Sequence, residues 1–412
     1  MIVRRLTACP VTFRVARRGW AFLVAFSLTR VASGGDEPPR PSADPPAREA
    51  PSGAAFLESV WPDHPEWLAM LADILVVGDR ISGNDGWFRK AVAQTRFDWK
   101  ATCSRLDKDG DGTISRSEFA GSDADFARLD RDRGGVLTAP DFDFRPQPPS
   151  TGSLLFARAD RDGNGKVTRE ELDAVFQALD GGNLGFLSQA DCQEAFTSPP
   201  RSVQGGPTRS TFLKSFVRRE LGAFPAGPSL DETAPDFTLR TVDGNEDVTL
   251  SKVVGPKPVV LVFGNFTCSP FRAQAGNLEK LYQRYRDRAT FLMVYVREAH
   301  PTDGWRMESN ERAGVAIQQP RTDDERRSVA QVCNRTLGLG FPMLVDTITD
   351  GVNDRYSGIP SRLYLVDRRG KIAFKSGRGP FGFKPAELEH SLILLLEQIA
   401  SEDSTREPPG PK

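Results

Sequence analysis

Histidine is scarce in this chain of 412 residues: only His64, His300 and His390 occur. With so few imidazoles and no Cys/His cluster, a zinc site of the usual donor set is excluded. Cysteine is nearly as sparse. Cys9, Cys103, Cys192, Cys268 and Cys333 lie far apart, and no Cys-x-x-Cys pair exists. That excludes a disulfide framework and a local dithiol. No basic stripe interleaved with aromatics occurs, so no nucleic-acid surface is expected. No apolar run reaches the roughly 20 residues that a stable membrane span requires. What remains is ordinary globular composition, 39% hydrophobic and 26% charged, with length for two or three domains.

The charge is uneven. Residues 1–33 hold six arginines and no acid. Arg4, Arg5, Arg14, Arg17 and Arg18 lead into an apolar stretch at 20–28, and Val31, Ala32 and Ser33 offer small residues for cleavage. This reads as an export signal over 1–33, with an uncleaved anchor as the alternative. The protein is then periplasmic or extracellular. Residues 34–53 are Pro-rich and polar, a disordered linker. Residues 54–197 are expected to be helical, beginning with amphipathic spacing at Phe56, Val60, Trp67, Leu68, Leu71 and Leu75. A second linker follows at 198–228, carrying a short helix from Thr211. Residues 229–400 alternate strand and helix patterns, and the polar tail 401–412 is expected to be disordered.

Within the helical region two segments carry oxygen donors at a fixed spacing. Asp107, Asp109, Asp111, Thr113 and Glu118 form one set; Asp160, Asp162, Asn164, Lys166 and Glu171 form the other. Calcium takes six to eight oxygens, met here by side chains at loop positions 1, 3, 5 and 12 and a backbone carbonyl at 7 (Thr113, Lys166). Gly112 and Gly165 permit the turn at position 6, and Ile114 and Val167 stand where a partner loop pairs. These are EF-hand loops. Two degenerate copies, at 130–141 and 180–191, lack the ligand at position 5 and those at positions 3 and 5 respectively, and both end in Asp, so weak binding is expected there. Leu137 is expected to face Ile114, and Leu187 to face Val167. In an exported protein the metal is expected to stabilise the module rather than to signal.

The C-terminal region places strands at 258–263 and 291–296, helices at 274–285 and 324–336, a strand at 342–345, a hairpin of 362–366 with 372–375, and a last helix at 387–399. This order is that of the thioredoxin fold, so the fold class is an α/β thioredoxin-like domain preceded by an all-α EF-hand domain. Cys268 ends the first buried strand and opens a helix, a junction that favours a thiolate. Phe271 fills the position of a second thiol, so any intermediate on Cys268 is resolved from elsewhere, by Cys333 or an external thiol reductant. The blander readings are an inert buried Cys268 and a Cys333 that is merely core. Pro360 stands where a cis-proline faces the thiol. His300 follows the second strand, and Glu298 two positions earlier is expected to share its face and hold the ring.

Four stretches resemble the iodothyronine deiodinases: Val-Leu-Val-Phe-Gly-Asn-Phe-Thr267-Cys268-x-x-Phe271, Val-Arg-Glu298-Ala-His300-Pro-Thr-Asp303-Gly304-Trp305, Pro342-Met-Leu-Val-Asp346 and Pro360-Ser-Arg362-Leu-Tyr364. The likeness covers about residues 229–397. It implies reductive removal of halogen from an aromatic ring, Cys268 attacking where the family uses selenocysteine. Thr267, Glu298 and His300 would shape the site and relay a proton. It implies a thiol reductant and a homodimer. Departures are Phe266, where the family often carries cysteine, and no second histidine near Val332. The export signal and EF-hands resemble exported bacterial proteins sharing this domain. Two other functions stay open: a one-cysteine peroxiredoxin-like peroxidase, with Thr267 assisting peroxide, and a non-catalytic calcium-binding protein.

Overall fold

The computed structural model describes residues 57, 60–61, 65–76, 92–145, 150–196 and 208–406. The expected export signal at 1–33 and linker at 34–53 lie outside the described residues, as do 198–207 and the end of the tail, 407–412. Among the described residues no helix is long and apolar enough to cross a membrane.

Helix α1 spans Glu66–Val76 and strand β1 Gln94–Thr95. The EF-hand region follows as α2 (Trp99–Leu106), α3 (Asp123–Leu129), α4 (Thr151–Ala159), α5 (Arg169–Leu179) and α6 (Gln189–Phe196). Its helices are short because each loop claims the intervening chain. Asp98, Ser122, Ser150 and Thr168 cap α2 to α5, each side chain accepting a backbone N–H three residues on. Helix α7 (Arg209–Val217) lies in the second expected linker and packs on α1 through Met70, Ile74, Phe212 and Phe216.

The C-terminal region contributes β2 (Thr238–Thr241), β3 (Asp247–Thr249), α8 (Leu250–Val253), β4 (Val259–Gly264), α9 (Ser269–Ala273), α10 (Ala275–Tyr285), β5 (Thr290–Tyr295), α11 (Glu308–Arg312), α12 (Asp323–Leu337), β6 (Met343–Val345), α13 (Gly351–Tyr356), β7 (Arg362–Val366), β8 (Ile372–Lys375) and α14 (Pro385–Arg406). The sheet order is β1-β8-β7-β4-β5-β6-β2-β3. Strand β4 is buried along its whole length, as its unbroken apolar run dictates, and pairs parallel with β5 and antiparallel with β7. A β-α-β unit followed by an α helix and an antiparallel hairpin, with helices packed on the sheet, makes this a thioredoxin-like α/β domain.

The first EF-hand pair shares the hydrophobic core of that domain through Phe97, Leu106, Ile114, Phe126 and Leu137, and β1 extends the sheet edge at β8. Ile114 and Leu137 form the expected bridge. Leu187 and Val167 do not: among the described residues no bridge joins them, and α5 buries no side chain. The 180–191 copy lacks side-chain ligands at positions 3 and 5 but keeps its turn, with Asp180 accepting from Leu184 N and Gly185 N, and loop 160–171 lies against α9 and α10. The tail also departs from expectation. Helix α14 continues past Ser401 to Arg406, held by Ser401 on Glu397 and by the two-pronged Arg368–Asp403 ion pair at 2.8 and 2.9 Å.

Candidate active site

Cys268 sits at the C-terminal end of β4, as the N-cap of α9. Its side chain is 1% exposed. Its Sγ donates to Ser361 Oγ at 3.8 Å. Burial pushes the thiol up, against the Phe271 N–H, the Ser361 hydroxyl and the Arg272 guanidinium, which all favour the thiolate. The strand-to-helix junction was expected to favour a thiolate; the structure buries the sulfur, as the blander reading had it, and burial opposes ionisation. Helix α9 is too short for its dipole to overcome desolvation.

The peptide bond before Pro360 is cis, as anticipated. Asn265, fully buried, ties three segments together: its Nδ2 donates to Pro360 O at 3.0 Å, and its Oδ1 accepts from Thr267 Oγ1 and Ala299 N. Thr267 Oγ1 also accepts from His300 N at 3.0 Å. That hydroxyl's donor is therefore spent within the protein, which removes the free hydroxyl that the peroxidase alternative called on.

Glu298 is buried too, yet it does not hold His300. Strand β5 ends at Tyr295, so strand alternation no longer applies at 298. Its carboxylate turns inward, accepting from Thr267 N at 2.9 Å and from the Tyr295 hydroxyl, which in turn accepts from Phe266 N. Burial raises its pKa against these hydrogen bonds. His300 instead meets Trp305: Nδ1 lies 3.2 Å from Trp305 O and the rings stand edge to face at 4.5 Å. A carbonyl only accepts, so Nδ1 carries the hydrogen and Nε2 holds the lone pair. Burial lowers the imidazole pKa to about 4, keeping it neutral.

Helix α11 lies over the thiol segment. Ser309 Oγ donates to Ser269 Oγ at 3.2 Å and Asn310 Nδ2 to Thr267 O at 2.9 Å. His300 and Asn310 also line a pocket of about 110 Å³ with Thr302, Arg306, Met307 and Val315. Cys333 is fully buried among Ala330 and Leu337, and burial holds its thiol well above the ordinary value. Both cysteines are free. Ser361, Asn265, Tyr295 and Asn310 were not anticipated as site residues; Ser361 and Asn265 carried a signal, as members of the stretches that resemble the family.

In each EF-hand loop three carboxylates converge: Asp107, Asp109 and Glu118 in one, Asp160, Asp162 and Glu171 in the other, with oxygens within 4.8 Å of one another. Asp111 and Asn164 accept the N–H of Thr113 and Lys166, fixing the turns whose carbonyls stand at position 7. Asp160 Oδ1 is buried without a partner. Burial raises the Asp160 pKa, and the charges of Asp162 and Glu171 add to it. An orphaned oxygen among repelling carboxylates fits a hard divalent cation such as calcium. The degenerate loop also gathers Asp130, Asp132 and Asp141, but Gly134 offers no side-chain oxygen at its fifth position and the closing Asp141 is shorter than Glu.

The family model for iodothyronine deiodinase matches residues 211–395, and that for the EF hand matches 104–120 and 153–176. The type I iodothyronine deiodinase of Xenopus laevis is 30% identical over 190 residues, covering 44% of this chain and 71% of that protein. The thyroxine 5-deiodinase of Sparus aurata is 31% identical over 215 residues, 50% of this chain and 76% of the relative. The chain spans only 56% of the Ovis aries thyroxine 5-deiodinase, at 34% identity and 40% of its own length. Among solved structures, the thioredoxin domain of a Bacteroides vulgatus thiol-disulfide oxidoreductase aligns at TM-score 0.28 and 21% identity, over 39% of this chain and 98% of that one. With its site segments inside the matched region, the chain belongs to the iodothyronine deiodinase family of oxidoreductases and carries EF-hand loops in its N-terminal half.

Proposed function

We propose that the protein is a thiol-dependent reductive dehalogenase acting on an iodinated aromatic ring through Cys268, with calcium in the loops at Asp107 and Asp160. The observation that carries the reading is the set of thiolate-favouring donors on Cys268 Sγ, within the family domain and beside cis Pro360. Once ionised, the sulfur attacks the iodine. An S–I bond forms, the C–I bond breaks, and its electron pair stays on the ring carbon, which takes a proton. One external thiolate displaces iodide to give a mixed disulfide on Cys268. A second displaces the Cys268 thiolate and leaves as the oxidised disulfide. Each turnover converts one aryl iodide and two thiols into arene, iodide, one proton and one disulfide.

His300 supports this by acting first as a base, since its Nδ1–H is given to Trp305 O and the neutral ring keeps Nε2 free. It accepts the thiol proton and returns it to the ring carbon. Glu298 and Asn265 are positioning residues that hold the Thr267 backbone and hydroxyl. A pocket of about 110 Å³ is too small for an iodinated diaryl substrate, because even benzene fills an engineered cavity of about 150 Å³. Substrate therefore reaches sulfur when α11 lifts. The basic and then apolar pattern of residues 1–33 supports export, which sequencing of the mature N-terminus tests. Iodide release from iodinated phenols and iodothyronines, with one dithiol oxidised per iodide, tests the reaction. Peroxide consumption without iodide release would replace it with the peroxidase reading.

A further inference from the structure

The two intact EF-hand loops share one sequence plan but face different surroundings. A Cβ built on Gly112 meets nothing within 4 Å. The first module docks instead through Arg105 on Glu397 at 2.5 Å and Asp125 on Arg288 at 2.8 Å, on α14 and just beyond α10. At the equivalent Gly165 a Cβ falls 2.1 Å from Arg272 O and 3.0 Å from Ala275 N, and a Cβ on Gly276 falls 2.4 Å from Gly165 O. The second loop thus runs backbone to backbone along α9 and the start of α10, the helices that follow Cys268.

One side chain spans loop and thiol turn. Arg272, 2% exposed, donates from Nε to Gly163 O at 3.1 Å and from a terminal nitrogen to Phe266 O at 2.5 Å. Gly163 lies between Asp162 and Asn164, so the direction of its carbonyl is fixed by the same loop conformation that gathers the metal ligands. A Cβ on Gly163 would also stand 3.1 Å from Ala313 Cβ, at the end of α11. The loop therefore touches both the helix that presents the thiol and the segment that covers it.

We propose that calcium in loop 160–171 controls the thiol site, with Arg272 as the positioning residue that transmits loop order to α9. The metal's role then exceeds stabilisation of its own module. The claim rests on the proposed reading of Cys268 as the reacting thiol. With the cation bound, the three carboxylates are neutralised, the loop is fixed, and the guanidinium stays on the Phe266 carbonyl beside Cys268. Without it, the carboxylates repel one another, Gly163 O loses its set direction, and Arg272 is drawn toward Asp160.

The test uses the full chain in excess calcium or excess chelator, read by amide hydrogen exchange of residues 269–276 and by the alkylation rate of Cys268 on its own peptide. In wild type, calcium slows exchange there by about fivefold or more, and the alkylation rate changes at the same calcium midpoint. Gly276→Ala leaves every ligand in place but breaks the loop contact; it binds calcium and loses both responses. Arg272→Lys, which lacks the Nε donor, weakens them. Glu118→Gln, in the other loop, keeps them. Calcium-independent exchange at 269–276, a full response in Gly276→Ala, or no uptake by loop 160–171 overturns the proposal. If exchange responds while Cys268 resists alkylation in both conditions, the coupling stands and the reading of Cys268 as the reacting thiol falls.

Discussion

The Cys268 thiol donates to the Ser361 hydroxyl at 3.8 Å, across 93 positions of sequence. Both side chains are buried, so the hydroxyl is one of few groups able to solvate a sulfur anion there. Ser361→Ala removes it while leaving the cis Pro360 turn in place. Losing one such hydrogen bond is expected to move the Cys268 pKa up by about one pH unit. The pH profile of Cys268 alkylation, followed on its own peptide, reads the shift; an unmoved profile contradicts the assignment.

Two histidines set an acid limit. Burial lowers His300 to about 4 and His390 to about 3, from an ordinary value of 6.5. In the unfolded chain both take up protons near 6.5, while the folded protein resists until far lower pH. Stability from these groups is complete above about pH 6.5 and is lost as pH falls toward the folded values. Urea midpoints for the calcium-loaded protein should fall between pH 6.5 and 4. His390→Phe, which keeps an aromatic ring against Phe142, should flatten that fall.

The Tyr295 hydroxyl bridges Glu298 and the Phe266 N–H inside the core. Tyr295→Phe strands a buried carboxyl oxygen and a buried amide at once. The expected cost is about 1–3 kcal/mol, measured by urea unfolding in calcium. A change within error would show that water or a shifted backbone replaces the hydroxyl.

Calcium titration after chelator treatment should count two tight sites per chain. Asp160→Asn should remove one and leave the other unchanged. The loop at Asp130 should add no tight site, because Gly134 supplies no side-chain oxygen at its fifth position and the closing Asp141 is shorter than Glu. A third tight site would contradict that account.

Much of the fold was legible because local signals and burial agreed. The apolar run of β4 and the donor spacing at Asp107 and Asp160 both survive in the structure. What escaped notice is non-local. Arg272 joins Gly163 across 109 positions and Asn265 joins Pro360 across 95, and neither residue type announces such a role. The Glu298–His300 pairing failed for a local reason: β5 stops at Tyr295, so spacing by two no longer puts side chains on one face. Helix α13 begins after Asp350, at φ 59°, and has only six residues, too few for periodicity to show.

The central claim is that one sulfur does the chemistry. Iodide release from an iodinated phenol by Cys268→Ser, beside wild type and Cys333→Ser in excess dithiol and calcium, tests it most directly. The account predicts complete loss at 268 and retained turnover at 333. Unchanged iodide release by Cys268→Ser would contradict it.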